Sequence, residues 1–360
     1  MNFINNDNLF NIKYSKKSLL NEIASLFSDN KSFTSLFTVE NGNPKTEKGN
    51  KLKVNSQILH MSPHKESKNL FNENLNNWYQ LKDNEINNIK DNYLDNIDYE
   101  STLNNIYEKI DLLESYSKLS FNFCAMASAE CIENCLFKSG NPIYNLNDRK
   151  TISRSKKNIA FIVLHRVFMK LLKIEIDSKI KSFINNSKYK DYDYLAFRLN
   201  GTQDVKWESK YIDEFKTESV LEYIERQALE NNIKIVCYDY TKYTSRHLKE
   251  NFPKNYHLTF SYDSNNLDSC ESALKSGLNV AIPFINGLPK LFKIGNKHYK
   301  VFNGDLSDCR FLDPKNVIVG LKFKFDTTKN CLSRLDQKLQ AVKSGFAIDT
   351  LNDTRCIGVQ

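Results

Sequence analysis

The sequence predicts an α/β protein: an incomplete or irregular TIM-like (β/α) barrel with an N-terminal extension and a helical insertion. Three observations predict it. Short apolar runs rich in β-branched and aromatic residues alternate with helical stretches through the second half of the chain. About seven such runs occur, which suits a partial barrel better than a doubly wound sheet. Polar and charged residues gather where those runs end, on the side where a parallel barrel builds its site, and neither a glycine-rich dinucleotide fingerprint nor a P-loop is present.

In chain order, residues 1–37 read as a polar extension with one amphipathic helix, marked by Leu19, Leu20, Ile23, Leu26 and Phe27. Residues 38–325 carry the barrel domain, and residues 326–360 form a C-terminal extension. A turn-rich stretch holds Asn41-Gly42-Asn43-Pro44 and Lys48-Gly49-Asn50. The first strand then runs from Val54 to His60 and stops at Met61-Ser62-Pro63, since proline cannot continue a ladder. Residues 65–118 are the helical insertion: Leu103, Ile106, Tyr107, Ile110 and Leu113 recur every three or four positions among Asn, Asp, Glu and Lys.

A turn at Gly140-Asn141-Pro142 precedes one long core helix, expected from about Ser153 to Phe183. The most apolar run of the chain, Ile159–Leu172, lies inside it. His165, Arg166 and Lys170 interrupt that run, and it is too short to span a bilayer. Further strands are expected at Tyr194–Leu199, Ile233–Tyr238, His257–Phe260, Asn279–Phe284, Tyr299–Phe302 and Val317–Phe323. Helices fall at Val220–Asn231 and at Cys270–Ser276, the latter stopped by Gly277.

Composition bounds the function. Hydrophobic residues make up 40% and charged residues 26%, enough for a sizeable core. The formal charge of +8 is mild, and no five consecutive Lys or Arg occur, so nucleic-acid contact is permitted but not demanded. Lysine-rich solvated faces explain the same charge. The first residues lack a basic segment followed by an apolar run, so a cytoplasmic setting is expected and disulfides are not.

Of the eight cysteines, Cys124, Cys131 and Cys135 cluster with the spacing C-x6-C-x3-C. On a helix the last two would share one face. In a reducing compartment so tight a group suits a ligand set or a redox site, and the bland alternative is three buried thiols packed as small hydrophobes. Placed after the first strand of a partial barrel, three cysteines have the layout that holds a 4Fe–4S cluster with one iron open to S-adenosylmethionine. The usual spacing there is C-x3-C-x2-C, so the analogy is one of architecture. Zn held by the three cysteines and His60 is the rival reading.

The strand ends supply the other candidates. Asp204, Asp239 and Lys242 are the candidate acid–base groups, and Arg198, Asn200, Tyr240 and Asp305 the candidate substrate-binding groups. Arg198 and Asp204 could clamp a carboxylate or phosphate, or pair with each other as a barrel salt bridge. Asp305, Asp308 and Asp313 could hold a divalent cation with Asn303, although turn formation is the commoner role of such residues. Trp207 and Glu208 could fold over the mouth or cap their loop. His257 reads as a satisfied core histidine.

The runs Gly42–Gly49, Cys124–Leu136, Arg198–Asp204, Tyr238–Lys242, Asn255–Ser261 and Asp308–Pro314, in that order, resemble those of the phage gene product 88 family. The resemblance covers roughly residues 38–325 and departs from the family pattern in the insertion at 65–118 and the extended N-terminus. It implies a phage or phage-derived origin and a shared site, and it supplies no reaction. Two readings of function follow: a metal- or iron–sulfur-dependent enzyme acting at the barrel mouth on a substrate the sequence does not identify, or a non-catalytic protein binding nucleic acid or a host protein.

Overall fold

The computed structural model describes residues 14–38, 44–63, 66–91, 97–135, 137, 149–213, 215–248, 252–326 and 332–360. The turns expected at 41–43 and 140–142, and Cys331, lie outside the described residues.

One mixed sheet of ten strands organises the chain. Its strands are β1 (Val54–Ile58), β2 (Tyr194–Arg198), β3 (Ile235–Thr241), β4 (Tyr256–Ser261), β5 (Asn279–Ile285), β6 (Pro289–Ile294), β7 (Lys297–Asn303), β8 (Ile318–Lys322), β9 (Ile348–Asp349) and β10 (Cys356–Val359). The order is β1-β2-β3-β4-β5-β8-β7-β6-β10, with β9 beside β5. The run from β1 to β7 is parallel, whereas β6 and β10 pair antiparallel at the far edge. The expected strands are all present. Three were not expected: β6, whose apolar residues are interrupted by lysines, and the short β9 and β10 in the C-terminal extension.

Pairing among the described strands does not close the sheet, yet the two ends of its parallel run are linked by contacts through the β7–β8 connection. Laid flat, six strand spacings would separate β1 from β7 by about 29 Å. Instead Lys48, just before β1, donates to the Asp305 carbonyl, two residues after β7. Ser56 Oγ on β1 lies 3.9 Å from Cys309 Sγ in the β7–β8 connection. The sheet therefore curls, and the segment 304–314 fills its concave face: Phe311 packs against Tyr194 and Tyr238, with ring centroids 5.4 and 5.6 Å away.

The helices are α1 (Lys16–Ala24), α2 (Pro44–Lys51), α3 (Glu66–Asp91), α4 (Ile97–Tyr116), α5 (Ala129–Glu133), α6 (Arg149–Val163), α7 (His165–Asn185), α8 (Val220–Glu230), α9 (Leu267–Lys275) and α10 (Arg334–Lys343). Chiefly α1, α3, α4, α6, α7 and α8 pack on the convex face of β2–β4. Leu195, Phe197, Ile235, Cys237 and Leu258 alternate along β2–β4 into one core with Ile159, Leu171, Leu172 and Ile176. Each such side chain contributes about 1.5–3 kcal/mol on burial. The expected long core helix is two: Leu164, at φ −116° and ψ 52°, leaves helical geometry between α6 and α7, with no proline or glycine nearby to signal the break.

The N-terminal segment is docked rather than loose. Glu175 of α7, 2% exposed, accepts from Ser35 Oγ at 2.8 Å and Leu36 N at 3.0 Å, and pairs with Lys16 at 2.9 Å. Lys157 of α6 donates to the Leu36 carbonyl at 2.7 Å, and burial pushes its ammonium down to about 7.

Candidate functional site

Strand alternation divides the polar strand-end residues between the two faces of the sheet. Tyr238 and Tyr240 point to the concave face, and Asp239 and Thr241 to the helical face. Arg198 follows the concave set. Its guanidinium sits 4.9 Å from the Tyr240 ring centroid and donates to Asp308 at 2.6 Å. Arg310 pairs with Asp313 at 3.1 Å and donates to the Gly304 carbonyl at 3.0 Å. A Cβ at Gly304 would run into Val319 and the Arg310 guanidinium, so this close approach requires glycine.

Two expectations are corrected here. Arg198 and Asp204 do not pair with each other: Arg198 holds Asp308, and Asp204 holds Arg246. The carboxylates of Asp308 and Asp313 are committed to arginines, while Asp305 shapes a turn by accepting from Lys322 N at 2.8 Å, with its own N–H bonded to Asn303 at 3.1 Å. A third correction concerns His257, which is exposed, its ring 6.1 Å from Phe311.

On the helical face a closed network surrounds Asp239. Its carboxylate accepts from Asn200 N at 2.8 Å, Asn200 Nδ2 at 3.2 Å and the Tyr256 hydroxyl at 2.7 Å. Asn200 also bonds Val205 N and the Trp207 indole, so Trp207 is a buried pillar and not a lid. Arg246, with a side chain 0% exposed, binds Glu208 through two bonds of 2.8 Å, Asp204 at 2.8 Å and the Tyr256 hydroxyl at 2.9 Å. Burial pushes Asp239 up to about 7, against the opposing pull of Tyr256, Arg198, Asn200 and Arg246. Arg246 was missed by sequence reasoning, as was its association with Glu208 and Tyr256, because the three are up to 48 residues apart and follow no local spacing.

Asp204 links this network to the cysteines. Its other oxygen accepts from Thr241 Oγ1 at 3.1 Å and Lys242 N at 3.0 Å. The Lys242 ammonium pairs with Asp263 after β4, both nearly buried. Cys131, beside this pair, feels the attraction of Lys242 and the repulsion of Asp263 and Asp204, and burial sets its thiol above the ordinary range. Burial likewise raises the Cys124 thiol, and the charges of Cys135 and Cys131 act on it in the same direction. Cys124 Sγ donates to the Thr202 carbonyl at 3.7 Å.

Ser128 caps α5, and Cys131 lies on that short helix, whereas Cys135 stands just past its C-cap at Asn134. All three thiols are half-buried, which separates them from the fully buried Cys237, Cys270 and Cys309. They are the softest donors at these strand ends. Among the described residues, no group of three His, Cys, Asp or Glu is already arranged as a metal-ligand set. His60 packs against Gly201.

Geometry thus defines a class: an α/β protein with a curled, largely parallel sheet, whose thiols and paired charges meet at the carboxyl ends of its central strands. The chain belongs to the Gene product 88 family, whose model matches residues 70–349. That span begins within α3, after β1, and runs through β9. Neither the curated proteins nor the solved structures contain a match. Among the described residues, no helix is long and apolar enough to cross a membrane.

Proposed function

We propose that the protein is a metal-dependent enzyme, with a thiophilic centre held by Cys124, Cys131 and Cys135 at the carboxyl ends of β2–β4. The observation that supports this reading is a run of three half-buried thiols, of which Cys124 feels the charges of the other two and Cys131 those of Lys242, Asp263 and Asp204. The curled parallel run is consistent with an irregular TIM-like (β/α) barrel, a fold that places its chemistry at this end. A phage-encoded protein acting in the host cytoplasm fits the family and the cysteine usage.

A 4Fe–4S cluster is the favoured occupant, since three thiolates leave one iron open, the position S-adenosylmethionine takes in enzymes of this layout. Zinc is the alternative. Around either, Lys242 and Asp204 are the groups placed to move a proton, Lys242 sharing its ammonium with Asp263 and Asp204 partly screened by Arg246. Asp239 serves as a positioning residue that fixes Asn200 and, through Tyr256, Arg246. Arg198, Asn200, Tyr240 and Asp305 are the groups that orient substrate, with Arg198 steadied by Asp308 and Tyr240, Asn200 by Val205 and Asp305 by Lys322.

Anaerobic reconstitution with iron and sulfide tests the proposal. The reading expects a brown protein with about four irons and four sulfides per chain. Zinc at one per chain after reconstitution would replace the cluster with the zinc reading. A colourless, metal-free protein with steeply salt-dependent affinity for DNA or RNA would favour the non-catalytic binding reading instead.

A further inference from the structure

The cations around the cysteines fall into two kinds. Lys242 and Arg246 are committed to Asp263, Asp204 and Glu208. Helix α6 presents Lys150 and Arg154, one turn apart on one face. Among the described residues, neither has a carboxylate within ion-pair distance. Arg154 lies over the ring of the buried Phe137, 5.3 Å from its centroid, and close enough to Cys135 for a thiolate there to act on it.

The local arrangement works against these charges. The two cations lie close enough to repel each other. The first turn of α6 holds no acidic residue to offset them or the positive end of the helix. The acids of the adjacent α5 are turned elsewhere, Glu130 to Asn265 and Glu133 to Gln340. A half-buried guanidinium stacked on an aromatic ring, with its fork of donors uncommitted, has the geometry that receives a carboxylate or phosphate in two parallel bonds.

We infer that Arg154, assisted by Lys150, binds an anionic group, a carboxylate or a phosphate, of the molecule that occupies the cysteine face. The inference rests on the proposed function for the location of that molecule, and it narrows the ligand to an anion.

Titration calorimetry on reduced, metal-free protein at constant ionic strength tests it, with pyrophosphate and citrate as separate probes. The wild type is expected to bind at least one of them saturably at one per chain, and the preferred probe identifies the anion class. Arg154→Gln should weaken that binding at least tenfold and Lys150→Gln severalfold, while Arg154→Lys restores part of it. Arg226→Gln, an exposed arginine already paired with Glu218 and Glu230, should bind as the wild type does. Circular dichroism establishes that each variant is folded. The inference is overturned if neither probe saturates the wild type, if Arg154→Gln binds unchanged, or if Arg226→Gln loses as much. Because the probes are bound without metal, an anion result stands or falls separately from the iron content of the reconstituted protein.

Discussion

The two sides of the cysteines are built on opposite plans. Towards β3 and β4, Arg246, Asp204, Glu208, Tyr256, Asp239 and Asn200 form a closed network in which each charge has a named partner. Towards α6, Arg154 and Lys150 carry charge near Cys135 with no carboxylate among the described residues within ion-pair distance. Closed networks hold geometry, because a buried charge with every bond made has nothing left to offer a ligand. Cationic charge that no carboxylate among the described residues answers, beside half-buried thiols, is bonding capacity kept for something outside the chain. The contrast teaches which half of the site is scaffold and which half is receptor.

Substitution can break that contrast. Arg246→Ala should destabilise the protein by about 3–5 kcal/mol in urea denaturation, since it leaves Asp204 and Glu208 buried without their cation. Arg154→Ala should change stability by less than about 1 kcal/mol, because no pair is lost. Equal costs at the two positions would erase the distinction.

Next in size is the coupling of Arg198 with Asp308 on the concave face. A double-mutant cycle through Arg198→Gln and Asp308→Asn should return an interaction of about 1–3 kcal/mol. A value near zero would mean that segment 304–314 is held by its aromatic contacts alone.

The pH dependence of stability sharpens the comparison further. Asp239, held near 7 when folded against an ordinary 3.8, binds its proton more tightly in the folded state. Its contribution therefore favours folding at low pH and is lost as pH rises towards 7. Asp239→Asn should flatten the fall in stability between about pH 4 and 7 in thermal unfolding, and an unchanged slope would remove Asp239 as its source. Lys157 has the opposite sign. Its ammonium, lowered to about 7 from 10.5, is a penalty below 7 that is relieved as pH rises, so Lys157→Met should reduce any gain in stability above neutrality. The smallest effect belongs to the cap of the cysteine helix, where Ser128→Ala should cost about 1 kcal/mol.

Much of the fold was legible because short, continuous apolar runs such as Tyr194–Leu199 and Asn279–Phe284 state their own secondary structure. The barrel-like curl was legible only as an analogy. The contacts that reveal it, Lys48 with Asp305 and Ser56 with Cys309, join residues more than 250 apart. The break at Leu164 was silent because backbone dihedrals changed there without a breaker residue. In the site, the cysteines announced themselves by spacing. Their neighbours did not, since Lys242 and Arg154 come to the thiols from separate elements and look like any surface cation in one dimension. Strand alternation was the one available signal that could have parted Asp239 from Tyr240 in advance.

The central claim is that the three thiols are a ligand set. Thiols raised by burial must lose their protons to bind metal, so loading should release protons and strengthen with pH. X-ray absorption at the iron edge on anaerobically reconstituted protein tests this most directly, comparing the wild type with Cys124→Ala/Cys131→Ala/Cys135→Ala. The account predicts sulfur-ligated iron in the wild type and its loss in the triple variant, with circular dichroism unchanged. Iron bound at the same stoichiometry and with the same sulfur shell in the triple variant would contradict it.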